Sequence, residues 1–420
     1  MIARIDALGY RCLRYTTQDL QPFHVLVGPN ASGKTTFLDT LEFVSDVVLL
    51  NPLDAVAHRA PDVRDLVWMR QGDKFEIAIE VRVPDERKKS LKQPIHTARY
   101  ELSVGQDSES NEFVILGETF WLIAEEELPR QPPPQRTLFP QPPSPPTTII
   151  RPSGSRAPQG WMKIVNKVAE SGNDYFSSET SGWNNLFRLG PHKSALANLP
   201  EDETKFPVAT WFKEFLMAGV RTIALHSDRM RRPSPPGAPR FFLPDGSNLP
   251  WVVEGFAQKD PERFQDWIRH IRTALPEIRS VSTVVREEDR HRYLVIEYES
   301  GLRAPSWLVS DGTLRLLALS LLAYLPDLEG VFMIEEPENG IHPRAVETVF
   351  QSLSSVYGAQ VLLATHSPVI LSLAKPEQVL CFAKTEDGAT DIVSGSDHPR
   401  LRTWRGETDL GTLFASGVLG

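Results

Sequence analysis

The chain is 420 residues long, room for about two or three domains, with 41% hydrophobic and 24% charged side chains, the composition of an ordinary soluble globular protein. No run approaches the roughly 18 apolar residues of a membrane span, the N-terminus has no apolar secretory stretch, and Cys12 and Cys381 fit neither a disulfide framework nor a metal-ligand spacing. These features predict a cytoplasmic protein, and a net charge of −9 from 45 basic and 54 acidic side chains excludes a global positive field for nucleic acid.

The first 50 residues read as a strand pair followed by a strand–loop–helix unit. His24–Val27 is a short apolar run, and Phe37, Leu41, Val44 and Val48 recur at helical spacing on a helix predicted to begin near Lys34. Between them, GPNASGKTT matches G-x-x-x-x-G-K-[ST]. The candidate cradle is Gly28, Pro29, Asn30, Ala31, Ser32 and Gly33, closed by Lys34, Thr35 and Thr36. Its glycines let backbone N–H groups turn inward around phosphates, and the helix N-terminus adds partial positive charge. Lys34 would reach the β- and γ-phosphates of ATP, and the Thr35 hydroxyl would ligate Mg²⁺. By itself this loop specifies only a nucleoside triphosphate.

Residues 75–83 alternate cleanly, as do parts of 98–104 and 113–123, which predicts a small antiparallel sheet. Residues 129–146 hold nine prolines in eighteen positions, a stretch read as a mobile, extended surface loop without a partner in preference to a PxxP ligand. From about 160 to 275 the pattern reads as mostly helical, clearest from Pro261 to Leu275, where Asp260 is a candidate N-cap and Phe264, Trp267, Ile268, Ile271 and Leu275 form one apolar stripe. No heptads persist, which excludes a long coiled-coil arm. Residues 280–298 return to strand-like alternation, and 305–420 read as alternating helices and parallel strands.

Within that last stretch, residues 331–334 (VFMI) have the character of a buried central strand and run into Glu335 and Glu336. Ligands in α/β sheets bind at such C-terminal strand edges. Because successive strand side chains point opposite ways, the pair is expected to divide its work: Glu335 holding the Mg²⁺ shell, Glu336 polarising the attacking water as general base. The next apolar strand, Gln360–Thr365, ends in His366, a candidate γ-phosphate contact. A helix over Pro343–Ser355 supplies the parallel β–α–β crossover.

Four further blocks select one branch of phosphate-loop proteins. VSDGT at 309–313, opening an apolar helix, resembles the signature of ABC-type ATPases in the form seen in recombination and chromosome-maintenance ATPases. EEPENGIHP at 335–343 resembles that group's Walker B and D-loop, and ATHSP at 364–368 its switch-histidine segment; GYRCLRY resembles its N-terminal strand motif. The chain thus resembles the SMC/RecF/Rad50-like ABC-type ATPases, and more narrowly the compact AAA-15/AAA-21 (OLD-like) bacterial subgroup, through the further phrases MRRPSPP at 230–236 and DGSNLP at 245–250. Asp311 departs from the transporter form of the signature, and Glu335 stands where an aspartate is usual.

The resemblance implies an α/β fold: a P-loop NTPase head of ABC type with a mixed or parallel central sheet, an antiparallel β-subdomain and a helical insertion. The expected divisions are 1–125 and 301–420 for the two halves of the head, 126–160 for the proline-rich loop and 161–300 for a helical insertion or lid. It also implies that two heads close over two nucleotides. Ser310, Asp311, Gly312 and Thr313 of one would then act in trans on the other, with Asn339, Gly340, Ile341 and His342 as the D-loop between them. Gln71 is the Q-loop candidate, and Arg11 and Arg14 are candidates to approach the nucleotide from the first strand pair. The expected function is a nucleotide-gated dimeric switch with slow, partner-regulated ATPase activity. It resembles ATPase subunits of PARIS- or Septu-type anti-phage defence systems working with a separate nuclease or TOPRIM effector, since the stretch after His366 is too short for another domain. The alternative is a DNA-repair or chromosome-maintenance clamp, for which Arg229, Arg231, Arg232 and Arg240 form the one basic candidate. A GTPase is disfavoured because NKVA at 166–169 lacks the guanine-reading aspartate.

Overall fold

A computed structural model describes residues 1–107, 112–124, 136–151, 157–168, 174–326, 328–401, 409–415 and 417. The chain opens with a hairpin, β1 (Ile2–Tyr10) and β2 (Leu13–Asp19), then β3 (Phe23–Val27), the glycine-rich loop and helix α1 (Lys34–Leu49). A short helix α2 (Pro52–Ala57) leads to β4 (Lys74–Arg82), and helix α3 (Asp85–Lys88) to β5 (Ile95–Gln106), β6 (Phe113–Ala124), β7 (Trp161–Val168), β8 (Tyr175–Ser177) and β9 (Asn184–Leu186). All of these strands except β3 form an eight-stranded antiparallel sheet in the order β2-β1-β4-β5-β6-β7-β8-β9.

Next come α4 (Pro207–Glu214), β10 (Val220–Ile223), α5 (Ser227–Arg231), α6 (Leu249–Lys259) and α7 (Pro261–Ala274). A three-stranded sheet follows, β11 (Ile278–Val285), β12 (Arg292–Tyr298) and β13 (Arg303–Pro305). The chain then passes through α8 (Asp311–Leu321), β14 (Gly330–Glu335), α9 (Pro343–Ser354), β15 (Ala359–Thr365), α10 (Pro368–Leu373), β16 (Val379–Lys384), β17 (Thr390–Ser394) and α11 (Leu410–Ala415). The nucleotide-side sheet has the order β10-β14-β15-β3-β16-β17, parallel except for β17.

Both faces of this second sheet are covered, which is why its strands read as continuous apolar runs. Leu26, Met333, Leu362 and Ala364 face one core with α1 and the antiparallel sheet. Their neighbours Val25, Val27, Phe332, Ile334 and Leu363 face a second core with α6 to α9. The stripe on α1 is buried as expected, and α7 starts where its capping signal lies, with the Asp260 carboxylate accepting from Arg263 N at 3.0 Å. The motif GYRCLRY turns between β1 and β2, and its Tyr10 hydroxyl donates to Asp39 on α1 at 2.6 Å, tying hairpin to helix.

Two expectations need correction. Residues 161–168, 175–177 and 184–186 are strand, not helix: β7 pairs with β6, and β8 and β9 extend the sheet. The alternation of β7 is hidden because its polar residues are themselves buried. Lys167 is 1% exposed, with its ammonium on the carbonyls of Gly190 and Lys193, and Lys163 lies over the Trp121 ring. The helical insertion reduces to α4–α7. The described part of the proline-rich stretch also has partners; residues 129–135 lie outside the described residues. Arg136 pairs with Asp391 at 2.6 Å, Gln141 N donates to Asp391 at 2.8 Å, and Ile149 N donates to Glu76 at 2.7 Å. The strap crosses the antiparallel sheet because that face carries buried carboxylates that need donors.

Candidate nucleotide site

Strands β14, β15 and β3 run parallel and in register, with Glu335 beside Ala364 and Thr365 beside Val27. Their C-terminal ends therefore deliver the carboxylates, His366 and the glycine-rich loop to one edge. Together they line a cleft of about 520 Å³ that includes Asn30–Thr36, Glu335, Glu336 and His366.

The loop has the geometry of an anion cradle. Gly28 has φ of 157°, and a Cβ there would sit 2.2 Å from the Phe382 carbonyl; at Gly33, φ 105°, it would sit 2.3 Å from the Thr390 hydroxyl. Helix α1 has no side-chain cap at Gly33, which leaves its first N–H groups for a ligand. The Ser32 hydroxyl is buried with no partner among the described residues. Lys34, 7% exposed, donates to the carbonyls of Gly28 at 2.8 Å and Pro29 at 3.1 Å. Burial holds its pKa below the ordinary lysine value, against the pull of Glu336 and Glu335. A partly desolvated ammonium, an orphaned hydroxyl and an uncapped helix together fit a polyphosphate.

Glu335 and Glu336 line the same cleft, where strand alternation alone would point them to opposite faces. Glu336 has already left the strand in a left-handed conformation, φ 45°, while its N–H still donates to Ala364 O at 2.8 Å. A strained backbone at a non-glycine residue thus turns the second carboxylate back toward the first. His366 Nε2 accepts from Lys34 at 3.0 Å, so the ring is neutral. Burial and the neighbouring ammonium keep its pKa down, and its 3.7 Å approach to Glu336 is proximity, not an ion pair.

The remaining candidates fall elsewhere. Arg11 pairs with Asp39 at 3.0 Å and Arg14 with Asp387 at 2.8 Å; neither lines the cleft, nor does Gln71, exposed after a 3₁₀ turn. Ser310 caps α8, accepting from Thr313 N at 3.2 Å, and Ser310 and Asp311 are exposed. None of Ser310, Asp311, Gly312 or Thr313 reaches the cleft of its own chain. Gly312 instead packs on the D-loop, where a Cβ would meet the Gly340 carbonyl at 2.4 Å. Asn339 N and Ile341 N close the D-loop turn onto Glu336 O and Glu338 O, each at 3.0 Å, and His342 caps α9 through Arg344 N.

Four further residues belong to the site. Cys12 and Lys384 line the cleft; the β16 terminus lies at the same sheet edge, so a strand-end argument would find Lys384. Thr390 donates to Ser32 O at 2.9 Å from an antiparallel strand with no local signal. Glu338 accepts from the Thr365 hydroxyl and keeps its other oxygen buried without a hydrogen-bond partner among the described residues. Burial, with the Glu336 carboxylate behind it, raises its pKa against that hydrogen bond. The third acid of EEPENG was its signal.

Fold and site define a nucleotide-binding ATPase with an SMC-head-like α/β fold. The model of the family described as "AAA domain, putative AbiEii toxin, Type IV TA system" matches residues 23–372, and the chain belongs to that family. Among solved structures, an SMC head bound to the C-terminal winged-helix domain of ScpA is similar at a TM-score of 0.53 and 13% identity, covering 94% of this chain and 97% of that one. SMC heads from Pyrococcus furiosus (TM-score 0.46, 11% identity, 94% and 96% covered) and Thermotoga maritima (0.42, 10%, 94% and 98%) are more distant. Among the described residues no helix is long and apolar enough to cross a membrane.

Proposed function

We propose that the chain is an ATP-gated switch in which two copies close over two nucleotides and hydrolysis reopens them. The observation that carries this reading is the signature turn, Ser310–Thr313, which stands outside its own cleft with Ser310 and Asp311 exposed. A helix N-terminus at that position, capped by Ser310 at Thr313 N alone, suits an anion held by another copy. ATP supplies the transferable phosphoryl group when bound, and Mg²⁺ neutralises its charge. Gly28–Thr36 bind the phosphates, Thr35 and Glu335 are placed to hold the metal, and Glu336 takes the proton of the attacking water. His366, neutral on Lys34, orients toward the terminal phosphate.

The wider role is the sensor or regulator of a bacterial anti-phage defence system with a separate nuclease or TOPRIM effector, hydrolysing slowly until that partner engages. The family description names a toxin of a toxin–antitoxin system, an arrangement of two components. The DNA-clamp alternative draws less support, since Arg229 is paired with Asp245 at 2.7 Å and Arg240 lies over Trp251. Purification from the native host tests the role: a stoichiometric nuclease supports it, and DNA alone supports the clamp. For the switch, ATP is expected to dimerise the Glu336→Gln chain in sedimentation; a chain that stays monomeric sinks it.

A further inference from the structure

We infer that Arg231 is a positioning residue for the signature turn, neutralising Asp311 and holding the Val309 carbonyl so that the α8 N-terminus can receive a second copy's terminal phosphate. The inference rests on the composite-site reading and adds to it a residue from MRRPSPP, a phrase to which that reading gave no role.

The geometry is specific. Arg231 ends α5, and its guanidinium spans both sides of Ser310. NH2 donates to Val309 O at 3.0 Å and Nε points at the same oxygen at 3.3 Å, while NH2 also lies 2.5 Å from the Asp311 carboxylate. The backbone is locked reciprocally, because the buried Ser306 hydroxyl donates to Arg231 O at 2.8 Å. A second tie runs the other way, from Arg315 on α8 to Leu225 O at 3.2 Å. The stretch from the end of β10 through α5 therefore grips the start of the signature helix at two points. It begins beside Walker B, since Ile223 pairs with Ile334, and Ala224 and Leu225 share a cleft with Glu335 and Glu336.

The chemistry explains why a grip is needed here. Asp311 is the first residue of α8 and is half exposed. A bare carboxylate there suits the helix dipole but repels an incoming phosphate at short range. An arginine shared between that carboxylate and a carbonyl cancels the charge while leaving the Ser310 hydroxyl in its cap on Thr313 N. A planar fork serves two acceptors at once, which a lysine ammonium does less well.

The test is made in the Glu336→Gln background with sedimentation as readout. Adding Arg231→Ala should raise the ATP-dependent dimer dissociation constant by about tenfold to a hundredfold, the scale of an unneutralised charge at an interface. Affinity of the monomer for a fluorescent ATP analogue should stay unchanged, since Arg231 lies outside the cleft. Adding Asp311→Asn to Arg231→Ala should recover most of the loss, and Arg231→Lys alone should lose less than Arg231→Ala. Dimerisation unaffected by Arg231→Ala overturns the inference while leaving the composite site standing. Loss that Asp311→Asn does not recover overturns it too, because a merely structural arginine would behave that way. A Glu336→Gln chain that never dimerises with ATP removes the reading and the inference together.

Discussion

The molecule carries two concentrations of buried charge, and they are built on opposite terms. On the antiparallel sheet, Arg99 donates to Asp6 at 2.6 Å, Glu80 at 2.9 Å and Glu101 at 2.8 Å, and Arg4 and Thr17 serve Asp6 from its other side. Burial disfavours the Asp6 carboxylate, but Arg99 and then Arg4 outweigh it and hold its pKa below the ordinary value. The strap closes over the set, with Arg151 N on Glu101 and Arg99 on Ile149 O. In the nucleotide cleft the same residue types are left unfinished: Ser32 Oγ and one Glu338 oxygen have no hydrogen-bond partner among the described residues, Lys34 is parked on carbonyls, and Glu336 is strained. Acids and bases that satisfy one another make structure. Those that wait for a further group make a site.

Four experiments press on that contrast. The largest effect is expected from Glu336→Gln, which should lower ATP turnover by about a hundredfold or more in a phosphate-release assay while nucleotide binding persists. Undiminished turnover would move the base elsewhere. Arg99→Met should do the reverse, leaving nucleotide affinity intact but abandoning three buried carboxylates at a cost of about 3–5 kcal/mol in denaturant unfolding. The sign for pH follows from Asp6. Its lowered folded pKa makes its contribution full above about pH 4 and lost as pH falls below that, so the wild-type chain should weaken steeply in acid and Arg99→Met less so. A wild-type stability flat down to pH 2 would contradict the pairing.

Lys34→Ala should weaken a fluorescent ATP analogue by about tenfold to a hundredfold, the worth of a charge-assisted contact, with no loss of fold; retained affinity would mean the cradle does not rely on its lysine. The smallest effect should come from Asp391→Asn, which keeps one acceptor oxygen but loses the charge and one of the two contacts with Arg136 and Gln141 N, at a cost of about 1 kcal/mol. Hydrogen exchange over 136–151 should rise in that variant, and protection equal to wild type would show that Glu76 and Glu101 alone seat the strap.

The amino-acid sequence by itself determined what contiguous residues can encode. GPNASGKTT is a complete cradle because its backbone conformations and its lysine lie within nine positions. The apolar strands β3, β14 and β15 and the crossover helix α9 were legible through period and proline placement, and they alone bring Glu335, Glu336 and His366 to the loop. What the sequence could not show was decided by contacts between distant segments. The left-handed turn at Glu336 depends on pairing with Ala364, and Thr390 closes the loop from 358 positions away. Buried polar side chains concealed the alternation of β7, and the carboxylates of the antiparallel sheet seated a proline-rich stretch that reads locally as free. Arg231 sits among four arginines that look alike in sequence, and only the packing of α5 against α8 sets it on the signature. Local conformation is carried by neighbours in the chain, whereas the partner of a charge is chosen by whichever segment the fold brings within hydrogen-bond reach.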